Sequence, residues 1–229
     1  MNLLLIAHGT RDPAGAVVTE RVAERAGLRL GVPVRACYAD VRGPTPADVL
    51  AELGGPTVAV PVFLAAGYHV RADVPEQLRA TGRSDVVLAD AFGPDPVLVA
   101  AAAERLTEAG ARPGDAVVLA VAASSDRHAQ ADGARAARRL GRRLGRPVTL
   151  APIVLGDQPG VADVVARLRS DGATRVAVAS WLLAPGLFQR NLERCGADVV
   201  AAPLSDHEAV LDVLASRYRS AQSYRCLPA

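Results

Sequence analysis

Apolar runs of strand length recur at residues 3–7, 34–39, 58–64 and 86–89, and the segments between them carry helical spacing instead. The alternation reads as β/α. Residues 15–30 put Val18, Val22, Ala26 and Leu30 on one face, with Glu20, Arg21, Glu24, Arg25 and Arg29 mostly on the others, and Pro33 ends the helix. After a Gly110-Ala-Arg-Pro-Gly114 break the series restarts. Strands are predicted at 117–122, 148–154 and 176–183, and helices at 128–144 and 161–169.

The restart is a repeat. Val58-Ala-Val-Pro-Val-Phe-Leu-Ala-Ala-Gly67 and Val176-Ala-Val-Ala-Ser-Trp-Leu-Leu-Ala-Pro-Gly186 follow one course with a single residue inserted, and Leu30-Gly-Val-Pro-Val34 matches Leu144-Gly-Arg-Pro-Val148. The expected fold is therefore α/β: two similar three-layer lobes with mostly parallel sheets, residues 1–113 and 114–229, and a cleft between them. In such sheets the functional loops follow the carboxyl ends of the strands, which is where chemistry should be sought.

Composition narrows the function. A chain of 229 residues, half of them apolar, can bury a substantial core, which excludes a disordered or fibrous protein. A net charge of only +2 and few aromatic rings argue against a nucleic-acid partner. All 26 basic residues are Arg. The planar guanidinium suits carboxylate recognition, but codon bias in a GC-rich genome is the plainer account, since it also covers the Ala and Val excess. Cys37, Cys195 and Cys226 are odd in number and far apart, so neither a disulfide framework nor a paired-cysteine metal knuckle is expected; a reducing cytoplasm fits. The run at 3–7 has no basic flank and reads as a strand, not a signal peptide, and no later run is long enough to span a bilayer.

The first strand ends in His8-Gly9-Thr10-Arg11-Asp12 and the third in Phe63-Leu-Ala-Ala-Gly67-Tyr68-His69-Val70-Arg71, so two histidines fall at one edge of the first sheet. The matching positions of the second half, Ala122/Ala123 and Leu187/Phe188, carry no imidazole. One working site and one degenerate scaffold copy is the expectation. Two neutral imidazoles facing a common site could bind a borderline divalent ion, or take up protons near neutral pH. Asp40, closing the second strand, could add a carboxylate ligand or orient a histidine; as a surface carboxylate before a helix it would need neither role. His128 and His207 stand at predicted helix starts, where capping or exposure accounts for them.

Three segments, Leu4-Leu-Ile-Ala-His8-Gly-Thr-Arg-Asp-Pro13, Tyr38-Ala-Asp40-Val-Arg-Gly-Pro-Thr-Pro46 and Val60-Pro-Val-Phe-Leu-Ala-Ala-Gly-Tyr-His69-Val-Arg-Ala-Asp-Val-Pro75, together resemble the sirohydrochlorin chelatases. These are small ATP-independent enzymes that insert Co²⁺ or Fe²⁺ into a tetrapyrrole. The resemblance implies that His8 and His69 are the catalytic and metal-binding histidines. It also implies that Asp40 stands where the family often has Glu, with the metal as substrate, no nucleotide and no iron–sulfur cluster. Its substrate is a flat ring with eight carboxylates, for which Gly9, Thr10, Arg11, Arg42, Gly67, Tyr68 and Arg71 are the expected contacts, Arg11 and Arg71 foremost. Trp181 and Phe188 would either wall the ring or fill the space between the halves. Because one chain supplies both lobes, a monomer suffices.

Two other classes compete with this reading. Phosphoryl transfer on histidine wants Arg before the His, and Ala7 stands there instead. A non-catalytic carrier of metal or tetrapyrrole would use the same histidines.

Overall fold

A computed structural model of the chain describes residues 1–154 and 158–225; Cys226 lies outside the described residues. Each half forms a four-stranded, wholly parallel sheet. In the first, β1 (Asn2–Ala7), β2 (Val34–Tyr38), β3 (Thr57–Pro61) and β4 (Val86–Leu88) lie in the order β2-β1-β3-β4. In the second, β5 (Ala116–Ala122), β6 (Val148–Ile153), β7 (Val176–Trp181) and β8 (Val199–Val200) repeat the order as β6-β5-β7-β8. The chain leaves β1 toward one side and returns to β3 on the other. The carboxyl ends of β1 and β3 thus flank the point where the winding reverses, the usual ligand crevice of an open α/β sheet.

Local signals set the helix limits. Helix α1 (Pro13–Leu30) starts at Asp12, whose carboxylate accepts from the Ala14 N–H, and stops at Gly31 in the left-handed region (φ 66°). Helix α2 (Pro46–Glu52) opens with a Thr45/Asp48 capping box, a device worth about 1 kcal/mol. A π-helical turn, His69–Asp73, runs directly into α3 (Val74–Ala80). Strand β1 divides its side chains by alternation. Leu4 and Ile6 join Cys37, Val49, Leu50, Ala59, Val74 and Leu78 in the core beneath α2 and α3.

Two predicted strands run past their observed ends. Residues 62–64 and 182–183 are apolar but leave the ladder where pairing with the central strands ends, at Ile6 opposite Pro61 and at Val121 opposite Trp181; β4 and β8 have already stopped, at Ala59 and Val178. The departing segment is held by Gly93, whose N–H donates to the Phe63 carbonyl at 3.0 Å. A Cβ on Gly93 would meet the Leu64 oxygen at 2.0 Å, so only glycine fits there.

The compact units do not follow the repeat boundary at 113/114. Unit one comprises Met1–Gly93 and Asp206–Ala229; unit two comprises Pro94–Ser205. Helix α4 (Pro96–Glu108) buries Leu98, Val99, Ala102, Ala103 and Leu106 and packs on β7 and on α5 (Arg127–Leu144). Helix α8 (Glu208–Arg225) packs on α1 and β3. Each lobe's last helix is therefore taken from the other repeat, which sequence similarity between the halves cannot reveal. In the second unit, α6 (Val161–Ser170) and α7 (Leu187–Leu192) cover the opposite sheet face.

Candidate functional site

Three loops of the first unit converge. His8 follows β1, Asp40 follows β2, and His69 opens the π-helical turn after β3. One ligand atom from each lies within 4.8 Å of the other two. The two imidazole rings meet edge to face, centroids 4.7 Å apart, beside Phe63 at 6.2 Å from each ring. His8 and Asp40 are exposed, and His69 is half-buried. Two ligands on one ion at bond lengths near 2.1 Å are at most about 4.2 Å apart, so a small rotation of the exposed side chains would close the set.

Backbone geometry makes this approach feasible. The Asp40 N–H donates to the His8 carbonyl at 3.1 Å, and the Arg42 N–H to the Asp40 carbonyl at 2.7 Å across Val41. Val41 sits at φ 67°, an uncommon conformation for a β-branched residue. The Val41 N–H donates to Asp40 Oδ1 at 2.7 Å. Asp40 is therefore held at the rim by one oxygen, and that oxygen can accept further only on its remaining lone pairs.

The histidines are restrained unequally. His8 Nδ1 lies 3.3 Å from the Gly9 carbonyl, a long contact, whereas His69 Nδ1 lies 2.7 Å from Asp73 Oδ2. Gln77 Nε2 donates to Asp73 Oδ1 at 2.8 Å and to the Ala39 carbonyl at 2.9 Å. Burial pushes the Asp73 carboxyl up, but the hydrogen bonds from His69 and Gln77 outweigh it and hold the group below the ordinary carboxylate range. Sequence reasoning passed over both residues. The His69, Asp73, Gln77 spacing of four was the available signal, since residues four apart share a helix face.

The remaining expected contacts fall around this cluster with differing engagement. Arg11 and Arg71 are exposed. Arg42 lies over the Tyr38 ring, 5.0 Å from its centroid. Thr10 Oγ1 accepts from the Asp12 N–H at 3.1 Å, a local turn contact. The Gly67 carbonyl accepts from the N–H groups of Val70 and Arg71, both at 3.1 Å, and so starts the turn that carries His69. Tyr68 is 62% exposed and Val41 41%, an apolar rim beside the imidazoles. Cys37 is buried and its thiol pKa is driven up by desolvation, which suits packing and not ligation.

In the second unit Trp181 is buried, and Phe188 packs against that unit's own core. His207 Nδ1 accepts from the Ala209 N–H at 3.2 Å, at the first turn of α8. At the start of α5 the cap is Asp126, which accepts from the His128 N–H. Among the described residues, His8, Asp40 and His69 are the one group of three His, Cys, Asp or Glu side chains able to hold a metal ion.

A profile of the CbiX family matches residues 2–109 and again residues 116–221. The chain belongs to the CbiX family. The double match accounts for the internal repeat, and it bears out the resemblance read from the three motifs. A sirohydrochlorin cobaltochelatase from Methanococcoides burtonii is 37% identical over 84 residues, 34% of this chain; the match spans 64% of that relative's length. SirB from Bacillus subtilis with Fe³⁺ has the same fold at a TM-score of 0.80 and 20% identity, covering 98% of this chain and 96% of that one. The sirohydrochlorin chelatase SirB from Bacillus subtilis subspecies spizizenii in complex with cobalt superposes at a TM-score of 0.77 and 18% identity, with 98% and 96% covered. These two likenesses place this CbiX chain in a common fold with two parallel-sheet lobes.

Proposed function

We propose that His8, Asp40 and His69 bind a divalent metal ion, Co²⁺ or Fe²⁺, and deliver it without ATP into sirohydrochlorin, for cobalamin or siroheme synthesis. The observation that carries this reading is the convergence of two imidazoles and a carboxylate within 4.8 Å at an open rim. Imidazole nitrogen suits borderline divalent ions, and three exposed or half-buried ligands form an incomplete set. A metal that is a substrate has to be released, and an incomplete set favours transfer to the four nitrogens of a macrocycle.

Insertion exchanges two pyrrole N–H protons for the ion. Two N–H bonds break, metal–nitrogen bonds form, and two protons leave. In this reading His8, His69 and Asp40 receive those protons. Exposed Val41 and Tyr68 offer apolar surface to a flat ring, while Arg11 and Arg71 would hold its carboxylate rim. Rim binding could offset the pucker that turns the nitrogen lone pairs toward the ion.

The test is loss of sirohydrochlorin absorbance on adding Co²⁺ or Fe²⁺ at substoichiometric protein. The proposal expects many rings metallated per chain, falling at least about a hundredfold in His8→Ala and His69→Ala. One ring per chain would identify a carrier. Variants as fast as the parent would remove the histidines from the mechanism.

A further inference from the structure

We propose that Asp73 and Gln77 are positioning residues for the metal site: Asp73 fixes the tautomer and direction of His69, and Gln77 ties that carboxylate to the end of β2 that carries Asp40. The inference rests on the reading that His69 is a metal ligand.

The geometry is specific. A carboxylate has no hydrogen to give, so a 2.7 Å contact with a ring nitrogen requires the nitrogen to donate. Neutral His69 then carries its proton on Nδ1 and its lone pair on Nε2. Free imidazole side chains favour the opposite tautomer, so the arrangement reflects the partner. Because His69 and Asp73 belong to one helical turn, the ring cannot swing without breaking this bond. Among the described residues, the one hydrogen-bond contact of the His8 ring is the 3.3 Å approach to the Gly9 carbonyl, and the side chain is exposed. The two ligands therefore have different duties, with His69 as the fixed anchor and His8 as the ligand free to follow the ion as it leaves.

Gln77 extends the restraint. Its amide nitrogen spends one hydrogen on Asp73 Oδ1 and the other on the Ala39 carbonyl, 2.8 and 2.9 Å away. Ala39 immediately precedes Asp40. One side chain thus joins the support of His69 to the strand end that positions the third ligand, and it fixes their separation in the absence of metal. Carboxylate partners of this kind orient metal-bound histidines, and removing one costs roughly 10–100-fold in metal affinity.

The experiment uses the full chain, metal-free and uniformly ¹⁵N-labelled, at a pH where both rings are neutral. Long-range imidazole correlations identify the tautomer of His69, and Co²⁺ titration gives affinity. The Nδ1–H form is expected in the parent. Asp73→Ala should lose that signature and bind Co²⁺ roughly 10–100-fold more weakly at an unchanged melting temperature. Asp73→Asn, which keeps one acceptor oxygen, should recover the tautomer and part of the affinity, and it serves where Asp73→Ala does not fold. Gln77→Ala should keep the tautomer and lose a smaller factor, several-fold. An Nε2–H tautomer in the parent, or Asp73→Ala that binds Co²⁺ as tightly as the parent, overturns the proposal. If instead His69→Ala itself leaves Co²⁺ affinity unchanged while the parent shows Nδ1–H, the metal-ligand reading has failed and the tautomer assignment stands.

Discussion

Gly9 and the Asp40 carbonyl are packed so closely that a Cβ on Gly9 would lie 2.4 Å from that oxygen, and Gly9 sits at φ 99°. The contact lets the ends of β1 and β2 close up until His8 and Asp40 share one site. Gly9→Ala introduces both a backbone collision and an unfavourable dihedral. It should lower stability by about 1–3 kcal/mol and weaken Co²⁺ binding, because relief requires Asp40 to move away from His8. Urea unfolding and Co²⁺ titration check this, and a variant matching the parent in both would show that the loops adapt freely.

Val41 holds the opposite kind of strain. At φ 67° its branched side chain crowds the backbone, in a turn closed by the Arg42 N–H and the Asp40 carbonyl. Val41→Gly should relieve about 1 kcal/mol or more, offset in part by added freedom of the unfolded chain. The same change removes an exposed apolar group from the rim, so a higher melting temperature should come with a higher KM for the proposed substrate, sirohydrochlorin. An unchanged KM would mean that this side chain does not meet the ring.

Helix α8 is joined to α1 by a ladder in which Arg21 pairs with Asp206, Arg25 with Glu208, and Arg29 with Glu208 and Asp212. These groups range from half-buried to exposed, with 31% of the Arg25 side chain accessible, so Arg25→Ala should cost about 1 kcal/mol, and molar salt should shrink the difference. Leu214, with no exposed surface, is different. Leu214→Ala should cost about 2–5 kcal/mol whatever the salt. Paired denaturation curves at low and high salt separate the two contributions; equal losses would mean that charge, not burial, docks the helix.

Asp115 is buried and accepts from the Arg112 N–H at 2.8 Å and from Arg175 Nε at 2.9 Å. Burial raises its pKa, yet these bonds and the two arginine charges bring it below the ordinary value. The folded pKa is depressed, so its contribution is complete above the unfolded value of about 3.9 and disappears as the pH falls through the folded one. Asp115→Asn should therefore cost about 1.5–3 kcal/mol at neutral pH, and its stability curve should approach the parent's in acid. Parallel curves down to the lowest pH would refute the assignment.

Much of the fold was legible because its cause is local. Alternating runs, Asp12 and Gly31 at the ends of α1, and the echo of residues 58–67 in 176–186 fix element types and the duplication from neighbouring residues alone. The ends of β3 and β7 were not legible. Residues 62–64 and 182–183 are as apolar as the strands before them, and they leave the ladder where pairing with the central strands β1 and β5 ends. The π-helical turn at His69–Asp73 was likewise invisible, since its hydrogen-bond register is a backbone property.

For the site, the sequence by itself determined which residues stand at the strand ends: His8, Asp40 and His69, with no imidazole at the matching strand ends of the second half. Those facts follow from order along the chain. Tertiary structure alone decided that the three groups converge within 4.8 Å, that Asp73 and Gln77 back His69, and that α4 and α8 each complete the lobe of the other repeat. Convergence depends on which strands are neighbours and how tightly their loops pack, and neither separation nor burial is written in the spacing of residues.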